Sequence, residues 1–209
     1  MGLKKAIATT YLRLSRWTFV SEPLPDKVVV IGAPHTSNWD GILMILAFWR
    51  TGRDYKFLVK DSAVKHPIVG PLVRWVGGIA VDRSARNGVV GAVVEQANAS
   101  DEFTLVIAPK GTRSNQDYWK SGFYRICTEA GLPLQLGFID STTHTFGWGG
   151  NIMLTGDVKA DMDVIRAFYE GKAGKRPQNT NVPRLRAEDD DEAATRIRSE
   201  QAGEGAERG

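Results

Sequence analysis

Among 209 residues the chain has one cysteine, Cys127, and three histidines. A lone thiol excludes an internal disulfide and agrees with a reducing compartment. Cys127 lies within a helical pattern and reads as a buried structural thiol. His66 and His144 have no cysteine or carboxylate at metal-ligand spacing, so no metal site is expected. No apolar run reaches the roughly 18 residues that span a bilayer. Polar and basic residues interrupt Leu3 to Val20 and no cleavage site follows, so a signal peptide is not expected either. Met1-Gly2 lacks the Ser or Thr at position 6 that myristoylation uses. Glycine-rich stretches such as Gly147–Gly150 match no nucleotide fingerprint. The aromatic residues are not interleaved with a basic stripe, which argues against nucleic acid as a partner.

What is present suits one globular domain with a sizeable core, at 42% hydrophobic residues. The net charge of +3 conceals an asymmetry. From Arg184 onward five arginines face eight acids, so this end carries −3 and the rest of the chain +6. The first 21 residues hold Lys4, Lys5, Arg13 and Arg16 and no acid. A basic body implies an anionic partner: a phosphate, an acidic carrier or a lipid surface.

Residues 3–18 show helical spacing, with Leu3, Ile7, Tyr11, Leu14 and Trp17 on one side and Lys5, Arg13 and Arg16 on the other. Such a helix lies in a membrane interface or packs on its own domain with the same stripe. Lys27–Gly32 (KVVVIG) is a β-branched run that predicts a buried strand. An apolar helix follows over 37–50. Further strands are predicted at 56–60, 78–82, 103–108, 134–139 and 151–154, and helices at 89–99, 121–130 and 162–170. This alternation predicts an α/β fold: a single domain with a largely parallel central sheet flanked by helices. From about Ala187 the chain is polar and acidic and reads as disordered. The expected organisation is a membrane-surface helix at 1–20, the folded domain at 25–183 and a disordered tail at 184–209.

Three blocks carry chemistry. In His35-Thr-Ser-Asn-Trp-Asp40, directly after the KVVVIG strand, a histidine has the pKa of a general base and a carboxylate five residues on can orient it. Equally, Ser37-x-x-Asp40 reads as a capping box that opens the following helix. Gly77-Gly-Ile-Ala-Val-Asp82-Arg83 ends a short strand on an arginine, suited to a phosphate or simply paired with Asp82. Pro109-Lys110-Gly111-Thr112-Arg113-Ser114 follows another strand as an anion cradle or an ordinary polar turn.

Taken together, these blocks resemble the glycerolipid acyltransferase family, which includes the lysophosphatidic acid acyltransferases. That family shows a His-x4-Asp block after a strand, then Gly-Ile-x-x-x-Arg, then Pro-Glu-Gly-Thr-Arg-Ser, then an apolar block with proline. Here these are His35–Asp40, Gly78–Arg83, Pro109–Ser114 and Leu132–Pro133, in the same order. Trp119–Tyr124 also looks like the segment that follows the third block in short bacterial members. The resemblance covers about residues 25–175. It departs at Lys110, where the family has Glu, and this reverses a charge in the expected acceptor site.

The resemblance implies transfer of a fatty acyl group from acyl-CoA or acyl carrier protein to the hydroxyl of a lysophospholipid such as 1-acyl-glycerol-3-phosphate. His35 would be the base and Asp40 its partner. Backbone N–H groups around Gly111 and Thr112 would receive the oxyanion. Arg83 and Arg113 would hold the acceptor phosphate, with Lys110 beside them. Lys56, Lys60, Lys65 and Arg74 would attract the anionic donor. No cofactor is implied, and the expected location is peripheral, on the cytoplasmic face of the cell membrane. A related enzyme with a non-phosphorylated lipid acceptor, a thioesterase and a non-catalytic lipid-binding protein remain as alternatives.

Overall fold

The KVVVIG run does form a strand, and its position explains its composition. The computed structural model describes residues 2–60, 64–81 and 88–189. Within them seven strands form one sheet: β1 (Thr18–Ser21), β2 (Lys27–Ala33), β3 (Lys56–Lys60), β4 (Gly78–Val81), β5 (Phe103–Ile107), β6 (Leu134–Asp140) and β7 (Thr145–Ile152). Their order is β1-β7-β6-β2-β5-β3-β4. From β6 to β4 all neighbours are parallel, whereas β7 is antiparallel to β6 and carries β1 parallel to itself. Among the described residues the α-helices are α1 (Leu3–Leu14), α2 (Asn38–Thr51), α3 (Val69–Trp75), α4 (Gly88–Asn98), α5 (Gly122–Ala130) and α6 (Val158–Tyr169).

Alternate side chains of β2 from Val28 to Ile31 enter two separate cores, which explains the unbroken apolar run there. Val29 and Ile31 pack with Val93 and Ala97 of α4, Phe123 and Ile126 of α5 and Met162 and Ile165 of α6. Val28 and Val30 pack with Leu43, Ala47 and Phe48 of α2. Helix α2 begins at Ser37, whose side chain accepts from the Trp39 amide, and Asp40 completes the capping box. It ends at Gly52, whose φ of 77° lies in the left-handed region that glycine occupies without strain.

Several boundaries differ from the sequence expectation. Helix α1 stops at Leu14, and residues 18–21 form an edge strand on β7. The expected stripe also splits: Leu3, Ile7 and Leu14 face outward, while Ala8 is buried and Tyr11, Leu12 and Trp17 pack at the second core. Lys4 donates to the Trp75 carbonyl and lies over the Trp49 and Trp75 rings. The last strand spans 145–152 and not 151–154, because its glycine-rich half pairs with β6. Helix α6 starts four residues early, where the Asp157 side chain accepts from the Ala160 amide. Residues 184–189, assigned to a disordered tail, are packed instead. Leu185 is buried and bridges Trp119, the Trp119 amide donates to the Arg184 carbonyl at 2.7 Å, and Arg166 pairs with Glu188 at 2.6 Å. Residues 190–209 lie outside the described residues.

Candidate active site

The first and third sequence blocks meet because the strands that carry them are neighbours. β2 and β5 pair in parallel, with Val29 opposite Leu105 and Ile31 opposite Ile107. Both C-terminal ends therefore open on the same edge of the sheet, the edge where α/β folds place their sites. His35 leaves β2 there, and Pro109–Ser114 leaves β5 beside it.

His35 is half-buried. Burial holds its imidazole pKa below the usual 6.5, Asp40 opposes this, and Arg113 and Lys110 add to it. The ring is thus neutral at neutral pH, as a general base must be. Gly41 lies against the ring: a Cβ at that position would be in ordinary van der Waals contact with His35 Cε1, at 3.9 Å.

Asp40 is buried, and its carboxylate is occupied by three backbone amides and two hydroxyls. Oδ2 accepts from the Thr36 amide at 2.5 Å, the Thr36 hydroxyl at 2.8 Å and the Ser37 amide at 2.8 Å. Oδ1 accepts from the Ser37 hydroxyl at 3.3 Å and the Lys175 amide at 3.2 Å. Among these bonds none goes to His35. The capping function read from Ser37-x-x-Asp40 is realised, and Asp40 acts on His35 by its charge rather than through a hydrogen bond.

In the third block, Ala108-Pro109-Lys110-Gly111 is a β-turn closed by the Gly111 amide on the Ala108 carbonyl at 2.9 Å. Gly111 has φ of 67°, again a left-handed conformation. Its amide is consumed by the turn, which leaves the Thr112 amide as the one of the two without a partner among the described residues. Thr112 Oγ1 accepts from the Ser114 amide at 3.3 Å. Arg113 is exposed and donates to Asn38 Oδ1, linking the third block to the first. Lys110 points inward: it is 4% exposed and its ammonium donates to the Asn179 carbonyl at 2.6 Å. Burial draws its pKa below the usual 10.5, while Asp40 opposes the shift.

Arg83 lies outside the described residues. Lys56 and Arg74 belong elsewhere. They line a cavity with Lys4 and Glu102 at the start of β3, β4 and β5, at the opposite edge of the sheet from His35. Sequence reasoning missed the segment after α6. It crosses the site and contacts both blocks, and its polar run Lys172–Asn181 carried no signal beyond that of a loop.

Two cavities adjoin His35. A small one of about 20 Å³, room for about one water, lies between His35, Lys110, Trp119, Tyr169 and Thr180. The other is an open groove of about 920 Å³ that runs from His35 along Leu58, Val90, Ile107, Trp119, Phe123 and Ile126. Its volume is at the upper end of the range for small-molecule sites. Asp117, Lys120 and Arg186 also line it.

No curated protein sequence matches this chain. Its structure is similar to the crystal structure of the 1-acyl-sn-glycerophosphate (LPA) acyltransferase PlsC from Thermotoga maritima. The TM-score is 0.55 at 17% identity over 82% of this chain and 80% of that one, a likeness of fold. The model of the Acyltransferase family matches residues 17–138, more than half of the chain, and covers the strands and turns that carry His35, Asp40 and Pro109–Ser114. The chain belongs to this acyltransferase family, as its resemblance to the glycerolipid acyltransferases implies.

Proposed function

We propose that the chain moves a fatty acyl group from acyl-CoA or acyl carrier protein to the free hydroxyl of a lysophospholipid such as 1-acyl-glycerol-3-phosphate. The observation that carries this reading is the neutral, half-buried His35 on a large open groove with an apolar wall of Leu58, Val90, Ile107, Phe123 and Ile126 and a polar wall that includes Lys120 and Arg186. A ring nitrogen of His35 takes the proton of the acceptor hydroxyl as its oxygen attacks the thioester carbonyl. The oxyanion of the tetrahedral intermediate accepts from the Thr112 amide. The carbon–sulfur bond then breaks, and the departing thiolate takes the proton back from the imidazolium. Asp40 stabilises that imidazolium through its charge. The groove receives the acyl chain, each buried methylene contributing about 0.8 kcal/mol. Arg113 binds the acceptor phosphate, and the sequence resemblance alone assigns Arg83 the same task.

The site works from a lipid surface, and we place it on the cytoplasmic face of the membrane. Among the described residues no helix is long and apolar enough to cross a bilayer. The layer α1–α2–α3 instead exposes Leu3, Ile7, Trp39, Ile42, Leu72 and Trp75. These apolar side chains, with the N-terminal basic residues around them, suit an anionic interface.

The test is acyl transfer with both donors and several lysolipids, analysed by mass spectrometry. Wild type forms the diacyl product, and His35→Ala loses about 10²–10⁴-fold in rate with an unchanged Tm. Near-native turnover by His35→Ala refutes the base assignment. Free fatty acid as the sole product makes the chain a thioesterase.

A further inference from the structure

The segment that follows α6 is bound first to the end of β6 and then to the two catalytic blocks. The Ser141 amide donates to the Ala173 carbonyl at 2.7 Å, and the Ala173 amide reaches Asp140 Oδ1. Gly174 passes so close to Thr36 that a Cβ would lie 2.4 Å from its hydroxyl oxygen. The Lys175 amide then donates to Asp40 and the Arg176 amide to Thr36 Oγ1 at 3.0 Å. Farther on, Asn179 meets the other block twice: its carbonyl accepts from Lys110, and its side-chain amide donates to the Arg113 carbonyl at 3.0 Å. The segment is thus a strap across the gap between the ends of β2 and β5.

Its composition points to an anion. Residues 172–182 contain three cations and no acid. Lys172 is engaged by the Phe168 carbonyl and ring. Lys175 and Arg176 are exposed, and their side chains have no partner among the described residues. Their backbone amides are nevertheless fixed on Asp40 and Thr36, next to His35. Neither side chain lines the cavities beside His35, but two exposed cations whose backbone is fixed on Asp40 and Thr36 suit a phosphate that approaches the site from outside. The strap is held at its far end by Lys110, whose ammonium has three donors and is buried against the Asn179 carbonyl. A glutamate there, the residue that the family resemblance leads one to expect, would turn a carboxylate toward a carbonyl oxygen and toward Asp40. Lys110 and this course of the strap therefore belong together.

We propose that Lys110 is a positioning residue that clamps the 172–181 strap across the site, and that Lys175 and Arg176 select the acceptor by its phosphate monoester. This rests on the acyltransferase reading above. The clamp is tested first, without activity, by amide hydrogen exchange of the full chain. In Lys110→Met the amides of Lys175 and Arg176 exchange at least about tenfold faster while β2 and β6 stay protected. The selection is tested by steady-state kinetics with lysophosphatidic acid and with uncharged monoacylglycerol as acceptors. The exposed double variant Lys175→Ala/Arg176→Ala, which does not threaten folding, raises KM for lysophosphatidic acid on the order of tenfold. It changes kcat less, and leaves KM for monoacylglycerol and for acyl-CoA near wild type. Lys110→Met follows the same pattern. Wild-type exchange in Lys110→Met overturns the clamp. Equal effects on both acceptors, or a rise confined to the KM of the donor, overturn the selection. If wild type acylates no acceptor at all, the acyltransferase reading fails, and the exchange result still decides the clamp.

Discussion

Replacing Asp40 by Asn removes one charge and converts one acceptor oxygen into a donor. The amide oxygen of Asn, placed where Oδ2 stands, retains the bonds from the Thr36 amide, the Thr36 hydroxyl and the Ser37 amide. The new NH2 group then faces the Ser37 hydroxyl, which can turn and accept, and the Lys175 amide, which cannot. That amide is left without its partner, at a cost of about 1–2 kcal/mol. The three remaining bonds lose charge assistance, about 0.5 kcal/mol each, and the N-terminus of α2 loses a favourable anion worth about 0.5 kcal/mol. The total is about 3–4 kcal/mol, which for a chain of this size lowers Tm by about 6–16 °C. Thermal unfolding followed by circular dichroism measures it. Activity moves in a separate way. Asp40 raises the His35 pKa, so its loss lowers that pKa further. The acidic limb of the kcat/KM profile of Asp40→Asn, measured well below its Tm, therefore shifts to lower pH. A Tm within about 2 °C of wild type would refute the count of hydrogen bonds. A limb that moves to higher pH would refute the electrostatic link to His35.

Two further outcomes follow from the fold. Leu3→Glu/Ile7→Glu weakens sedimentation with anionic vesicles, and wild-type binding itself falls as salt rises. These side chains face outward, so the double variant leaves the α1–α2 packing intact, and equal recovery of variant and wild type removes the membrane assignment. At Asp140, burial pushes the carboxyl pKa up, but the Thr142 and Thr143 hydroxyls and the Thr142 and Ala173 amides outweigh it and hold it at about 2. Asp140→Asn costs about 1–2 kcal/mol at neutral pH. The folded pKa is depressed, so this contribution is present above the unfolded value of 3.8 and is lost as pH falls from there toward about 2. Urea unfolding at pH 7 and near the acid limit measures the difference, and a pH-independent gap between variant and wild type contradicts it.

Much of this protein was written locally. The unbroken apolar run of β2 announced a strand buried on both faces, and Ser37-x-x-Asp40 announced the cap of α2, because both depend on neighbours within a few residues. The alternation of strands and helices gave the α/β class, and the order of the three blocks pointed to the family. Tertiary structure decided what sequence spacing leaves open. That β2 lies beside β5 depends on pairing across more than seventy residues, and this pairing alone brings His35 to Pro109–Ser114. Whether the α1 stripe faced a membrane or the domain was a matter of which side met α2. The answer divided the stripe, with Tyr11 and Trp17 turned inward and Leu3, Ile7 and Leu14 outward. The sequence left Asp40 open between orienting His35 and capping α2, and in the folded chain the Thr36, Ser37 and Lys175 groups reach its oxygens. Lys110, expected as a charge in the acceptor site, is buried beside His35 and donates to the Asn179 carbonyl, 69 residues away. No local pattern marks the strap or the packed residues 184–189, since their polar sequence forms no regular element alone and is ordered only by contacts from distant strands and turns.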